Sequence, residues 1–211
     1  MSALTLRHIC GAAARTSLSE NTALVLIDFQ NEYFDGALPL PDAEAALERA
    51  QALRVFAAAR GWPVVHVRHQ APAGSPLFAA GQPSSAIHAA LRPNPGELVV
   101  DKREVSAFVG TDLAARLREM GTDTLMIAGL MTHACVAGAA RDAVPAGFEV
   151  IVAADACATR DLQPPGGEPV PHRQLHLAAL AAIADTFGDV LETAEIVSLP
   201  RAGATGEGLP C

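Results

Sequence analysis

Short apolar runs of strand length alternate with amphipathic stretches of helix length along nearly the whole chain. That alternation limits the possible folds more than any single motif. The runs are ALVLID (23–28), PVVHVR (63–68), ELVVD (97–101), TLMIAG (124–129) and EVIVAAD (149–155), with AEIVSL (194–199) as a sixth. Between the first two, residues 42–60 place Ala46, Leu47, Ala50, Leu53 and Ala57 at helical spacing, and Gly61 stops the run. Residues 111–121 predict a second helix, with Thr111 as N-cap and Gly121 as its stop. A third starts near Cys135 and should end about one turn early at Pro145, whose ring clashes with the carbonyl four residues back. The last long helix covers 171–188. Apolar strands separated by helices form a parallel sheet covered on both faces. The expected fold is α/β, a single-domain three-layer α/β/α sandwich with a mostly parallel, Rossmann-like sheet of about six strands. Residues 1–20 read as an N-terminal extension and 21–211 as the domain.

A chain of 211 residues suits one domain with a substantial core. Half its residues are apolar and only 4% aromatic, so that core is mainly Ala, Val and Leu. The formal charge is −8 and no basic run stands out, which argues against a nucleic-acid footprint or an anionic membrane surface. No apolar run approaches the ~20 residues that span a bilayer, and residues 1–20 lack the continuous apolar stretch of a signal peptide. Cys10, Cys135, Cys157 and Cys211 show neither a C-x-x-C pair nor zinc-like spacing. Reduced thiols and a cytoplasmic location are the expectation.

Parallel α/β sheets carry their chemistry at the carboxyl ends of the strands. Asp28 ends the first strand, Asp101 and Lys102 follow the third, Cys135 follows the fourth, and Asp155 ends the fifth. An acid, a lysine and a thiol on one edge compose a nucleophilic site, in which a base removes the thiol proton and a cation stabilises charge. A helix N-terminus also favours a thiolate. Each residue has a plainer reading too: a solvated loop acid, a surface lysine, a small packed thiol. Two unpatterned loops, 69–96 and 159–170, have the length of functional lids.

Three segments carry a resemblance. ALVLIDFQNEYF, LVVDKREVSAFVGTDL and AGLMTHACVAGAARDAVPAGFEVIVAADACAT occur in that order on three strand ends. In this the chain resembles the isochorismatase-like cysteine hydrolases over about residues 20–200. The resemblance implies Asp28 as base, Lys102 beside it and Cys135 as nucleophile. It implies backbone N–H groups of Met131 and Cys135 as an oxyanion hole, and a cis peptide at Leu130–Met131. The implied reaction is hydrolysis of a small amide, carbamoyl or ureido C–N bond through a thioester, by a homo-oligomer of two or four subunits. Two alternatives are a vinyl-ether hydrolase, which lacks the cysteine, and a ligand-binding protein that has kept the fold without catalysis.

By position in the family motif Tyr33 lines the pocket. Phe108 is a second candidate wall, and Thr132 and His133 flank the nucleophile. Metal-binding members carry an aspartate and two histidines after strand two. Here His66 and His69 are three apart on a strand and point to opposite faces. His172 and His176, four apart on a helix, lack a third ligand and read as a solvated face. No metal and no other cofactor is expected. His69, at its strand end, remains a candidate for the pocket, and Cys157 reads as a small structural residue.

Overall fold

The computed structural model describes residues 3–202, and the last part of the expected domain, with Cys211, lies outside them. In chain order the elements are α1 (Leu6–Ile9), β1 (Thr22–Ile27), α2 (Ala43–Ala59), β2 (Val64–His69), β3 (Leu98–Lys102), α3 (Leu113–Glu119), β4 (Thr124–Leu130), a π-helical turn (Thr132–Val136), α4 (Ala137–Ala143), β5 (Glu149–Ala158), α5 (His172–Thr186), β6 (Asp189–Leu191) and α6 (Thr193–Ser198). The six strands form one sheet in the order β3-β2-β1-β4-β5-β6, and every pairing is parallel.

β1 and β4 are buried at every position, which is why neither sequence alternates. Leu24, Leu26, Met126 and Ala128 face one way and meet Ala46, Leu47, Ala50 and Leu53 of α2 with Ile196 of α6. Val25, Ile27, Leu125 and Ile127 face the other way and meet Leu113 and Leu117 of α3, Ala140 of α4 and Ile183 of α5. The three-layer sandwich follows. Among the described residues no helix is long and apolar enough to cross a membrane.

The strand order reverses between β1 and β4. Strands β1 to β3 run outward on one side and β4 to β6 on the other, so a crevice opens at the carboxyl ends of β1 and β4. Gly129 lets these two strands approach closely there, since a Cβ on it would lie 2.7 Å from the Ile27 carbonyl and Cβ.

Two sequence expectations fail in the second half of the sheet. Residues 194–199 are not a strand. Glu192 and Glu195 close a reciprocal capping box that starts α6, and the sixth strand is the three-residue segment before it. Asp155 does not end β5. Residues 127–129 of β4 run beside the longer stretch 152–157 of β5, so the strand bulges and continues to Ala158. The Asp155 carboxylate turns to α6 and accepts from the Thr193 N–H and hydroxyl, both at 2.7 Å. The N-cap of α3 is Asp112, not Thr111, and its side chain makes no capping bond; the Thr111 hydroxyl, one residue earlier, accepts from Leu113 N–H at 3.3 Å. α4 stops at Ala143, two residues before Pro145.

Candidate active site

Each element at the crevice delivers one chemical group. Asp28 directly follows β1 with a φ of +54°. A non-glycine residue in that region costs about 1–3 kcal/mol and persists only where its surroundings over-determine it. Here the Asp28 N–H is held by the Val67 carbonyl at 2.9 Å. β3 ends in Lys102, whose side chain is 0% exposed, as is that of Asp28. The π-helical turn after β4 carries Cys135, also buried. The Leu130–Met131 peptide before it is cis.

Lys102 is the hub. Its Nζ lies 2.8 Å from Asp28 Oδ2 and donates to Cys135 Sγ at 3.3 Å. It also donates to the Glu104 carbonyl at 3.1 Å and meets His69 Nδ1 at 3.3 Å. Neither Asp28 carboxylate oxygen has a hydrogen-bond partner among the described residues, so Asp28 and Cys135 are joined through the Lys102 ammonium that each of them meets. The three groups that the sequence scatters over more than 100 residues thus share one buried point.

Their charges follow from burial and proximity. Burial pushes the Asp28 carboxyl up, and Lys102 draws it partly back. Burial alone would lower the Lys102 ammonium, but Asp28 and Cys135 outweigh it and hold it charged. Burial, then the charge of Asp28, pushes the Cys135 thiol up to about 12 against the pull of Lys102. The helix start and Lys102 favour a thiolate, but burial and the Asp28 charge outweigh them. That direction favours the protonated thiol over the thiolate at Cys135. Burial and the Lys102 charge keep His69 neutral, so Nδ1 can accept from the ammonium.

An aromatic wall stands over this point. Tyr33 is 2% exposed, and Asp28 lies close enough to add to the burial that raises its phenol. Phe78 packs edge-on to Tyr33 at 5.1 Å and against His69 at 5.2 Å. Phe78 also has a φ of +54° and comes from the 69–96 loop. Buried Glu32 pins that loop by accepting from Phe78 N–H at 3.1 Å, while Gln30 donates to Ser85 O at 2.6 Å and accepts from His69 N–H at 2.8 Å.

The other sequence candidates lie elsewhere. Phe108 is not a pocket wall: its ring packs 6.0 Å from Phe148, which precedes β5 at the amino end of the sheet. The Thr132 hydroxyl is fully buried and bonded to His176 Nδ1 at 2.9 Å, and His133 Nδ1 is bonded to the Thr159 hydroxyl. Both side chains thus turn away toward α5 and the end of β5. The helical histidines are not a solvated face either. His172 is paired with Asp161 at 2.8 Å and Asp42 at 3.3 Å, and His176 with Thr132. His66 faces Glu97 at 2.9 Å, opposite to His69. Among the described residues no group of three His, Cys, Asp or Glu side chains is placed to hold a metal ion.

Arg160 and Phe78 are the residues that sequence reasoning missed. Arg160 follows β5 closely enough for its charge to act on Tyr33 and His133. Its Nε is buried with no hydrogen-bond partner among the described residues, and Nη1 reaches only the Asp161 carbonyl, at 3.3 Å.

A parallel α/β sheet with an acid, a lysine and a thiol buried together at its switch point defines a restricted class. Within it, the chain belongs to the isochorismatase family, since residues 22–195 match the Isochorismatase domain. It is 37% identical to the "Secreted isochorismatase effector Isc1" of Verticillium dahliae over 90% of this chain and 97% of that protein. It is 33% identical to the maleamate amidohydrolase of Pseudomonas putida over 84% of this chain and 85% of that one. The crystal structure of a cysteine hydrolase from Pseudomonas syringae pv. phaseolicola superposes with a TM-score of 0.82 at 27% identity, covering 93% of this chain and 97% of that one.

Proposed function

We propose that this isochorismatase-family hydrolase uses Cys135 to cleave the C–N bond of a small amide through a thioester. The observation that carries the reading is Lys102 Nζ lying 2.8 Å from Asp28 and 3.3 Å from Cys135 in a site closed to solvent. The Cys135 proton passes to Asp28. Negative charge moves from carboxylate to sulfur within reach of the same ammonium, so the transfer creates no new uncompensated charge. The thiolate attacks the amide carbon, and the oxyanion is held by the Met131 and Cys135 N–H groups. Such fixed donors supply ~10²–10³ in rate each. Protonated Asp28 then gives its proton to the leaving amine or ammonia. Water, deprotonated by Asp28, cleaves the thioester and releases the acid.

Tyr33, Phe78 and His69 form one wall of the substrate site, and the Thr132–His133 backbone forms part of the opposite rim. The unpaired Arg160 Nε supports a substrate with a carboxylate or other anionic end, as in the maleamate that the Pseudomonas relative is named for. No step needs a metal. This is supported by the histidines, each already engaged: His69 with Lys102, His66 with Glu97, His172 with Asp161. The active form proposed is a dimer or tetramer. The reading is tested by ammonia release from a panel of maleamate, ureido acids, N-carbamoyl amino acids and nicotinamide. Release from an acidic amide by the wild type, and none by Cys135→Ala, is expected. Release that survives Cys135→Ala would defeat it.

A further inference from the structure

The turn that carries the nucleophile is anchored by a side chain on a distant helix. Thr132 opens the π-helical turn, directly after Met131 and three residues before Cys135. A threonine hydroxyl at a helix start ordinarily bonds to the backbone of its own turn. Here it reaches 44 residues along the chain to His176 Nδ1, at 2.9 Å. Thr132 is 0% exposed, so water offers its hydroxyl no substitute partner. Met131, at the N-cap position, contributes no side-chain cap. His176 sits on α5, a 15-residue helix seated by Leu180 and Ile183. It also lines a cavity of about 210 Å³ with Asp42, Cys157 and Thr159 that neither Asp28, Lys102 nor Cys135 borders.

We infer that His176 is a positioning residue: through the Thr132 hydroxyl it fixes the turn that presents the Met131 and Cys135 N–H groups to the developing oxyanion. This rests on the cysteine-hydrolase reading above. Oxyanion donors act only within about 2.7–3.1 Å of the place where charge develops, and a ~1 Å displacement costs on the order of 10²-fold. The base and the cation are set separately, by β1 and β3. Loss of the tether therefore disturbs the oxyanion hole without removing the means of making the thiolate.

Two reagents separate these effects. p-Nitrophenyl acetate acylates the thiol: an S–C(acyl) bond forms, the ester C–O bond breaks, p-nitrophenolate leaves and the thiol proton goes to Asp28. Charge builds on the carbonyl oxygen on the way. Iodoacetamide alkylates the same sulfur by forming S–CH₂ and expelling iodide, with no oxyanion at all. His176→Leu is expected to acylate roughly 10–100-fold more slowly while alkylating within about 3-fold of wild type. His176→Asn puts an amide where Nδ1 stood and should recover acylation to within about 5-fold; His176→Gln, which reaches the Nε2 position instead, should stay slow. Thr132→Val should match His176→Leu, and the double variant should be no slower than either, because both remove one interaction. The Asn and Gln pair decides the matter where the leucine variant does not fold. Acylation at the wild-type rate in His176→Leu overturns the proposal. So does an asparagine variant as slow as the glutamine one, or alkylation that falls in step with acylation. Failure of the underlying reading shows separately, as acylation of the wild-type protein that survives Cys135→Ser.

Discussion

Replacing Lys102 with methionine keeps most of the side-chain length and removes the charge. At 2.8 Å and an effective dielectric of ~20, its attraction to Asp28 is about 6 kcal/mol, comparable to the ~3–5 kcal/mol lost when one partner of a buried pair is deleted. Asp28 is fully buried, and without Lys102 the basic neighbour left to it among the described residues is His69, whose imidazole burial holds neutral. It should take up a proton instead of bearing that cost. Two consequences follow. The base is lost, so turnover should fall by at least ~10²-fold. The stability deficit should also depend on pH in a definite direction. Burial already raises the folded-state pKa of Asp28 above its unfolded value, and the substitution raises it further. The folded variant then binds the proton more tightly than its unfolded chain. Its stability relative to wild type is retained at pH below the unfolded carboxylate range and is lost as pH rises toward the folded pKa. Scanning calorimetry of both proteins at pH 5 and pH 8, beside turnover, reads this directly. A melting-temperature gap equal at both pH values, with turnover within about 10-fold of wild type, would refute the pairing argument. Lys102→Arg should recover only part of the activity, because a planar guanidinium does not fit an ammonium's place between two groups.

Dialysis against EDTA should leave ammonia release unchanged; activity lost and then restored by zinc, iron or manganese would mean that the histidines leave their present partners to bind a metal. Arg160→Leu should raise KM for acidic amides about 10–100-fold, as for a lost charge-assisted hydrogen bond, with little effect on uncharged ones, and steady-state kinetics on a matched acid and neutral pair would show it. Gly129→Ala should destabilise the fold by about 1–3 kcal/mol in urea unfolding, because the added Cβ meets the Ile27 carbonyl and Cβ at 2.7 Å. An unchanged urea midpoint would mean that β1 and β4 separate there at no cost.

The meeting of Asp28, Lys102 and Cys135 was legible because a parallel sheet puts the carboxyl ends of its strands on one edge, and each of the three follows a run that reads as a buried strand. The misreadings share a cause, which is tertiary contact that no local pattern encodes. The Ile196–Val197 pair favours a strand in isolation, but Glu192 and Glu195 cap a helix there, and the true β6 is too short to give a period. Asp155 looked like a strand end because the bulge that carries β5 on to Ala158 has no sequence signature. That bulge also places Arg160 beyond the expected strand end, where its charge acts on Tyr33 and His133. Phe78 reaches the site through a long loop and a positive φ, held by the Glu32 contact at its N–H and by the Ala71 N–H at its carbonyl. The direction of the Phe108 ring depends on the path of residues 103–112. The electrostatic balance at Cys135 is half legible: the helix start is local and readable, whereas burial and the Asp28 charge, which dominate, are not.

The central claim is a covalent step at Cys135, and its most direct measurement is mass spectrometry of enzyme quenched within milliseconds of mixing with an amide that it turns over. Peptide mapping should find an adduct on the Cys135 peptide equal to the substrate mass less its leaving ammonia or amine. The adduct should disappear as substrate is exhausted and be absent from Cys10 and Cys157. Steady turnover with no adduct at Cys135, in an enzyme whose Cys135→Ser variant turns over at the same rate, would contradict the account.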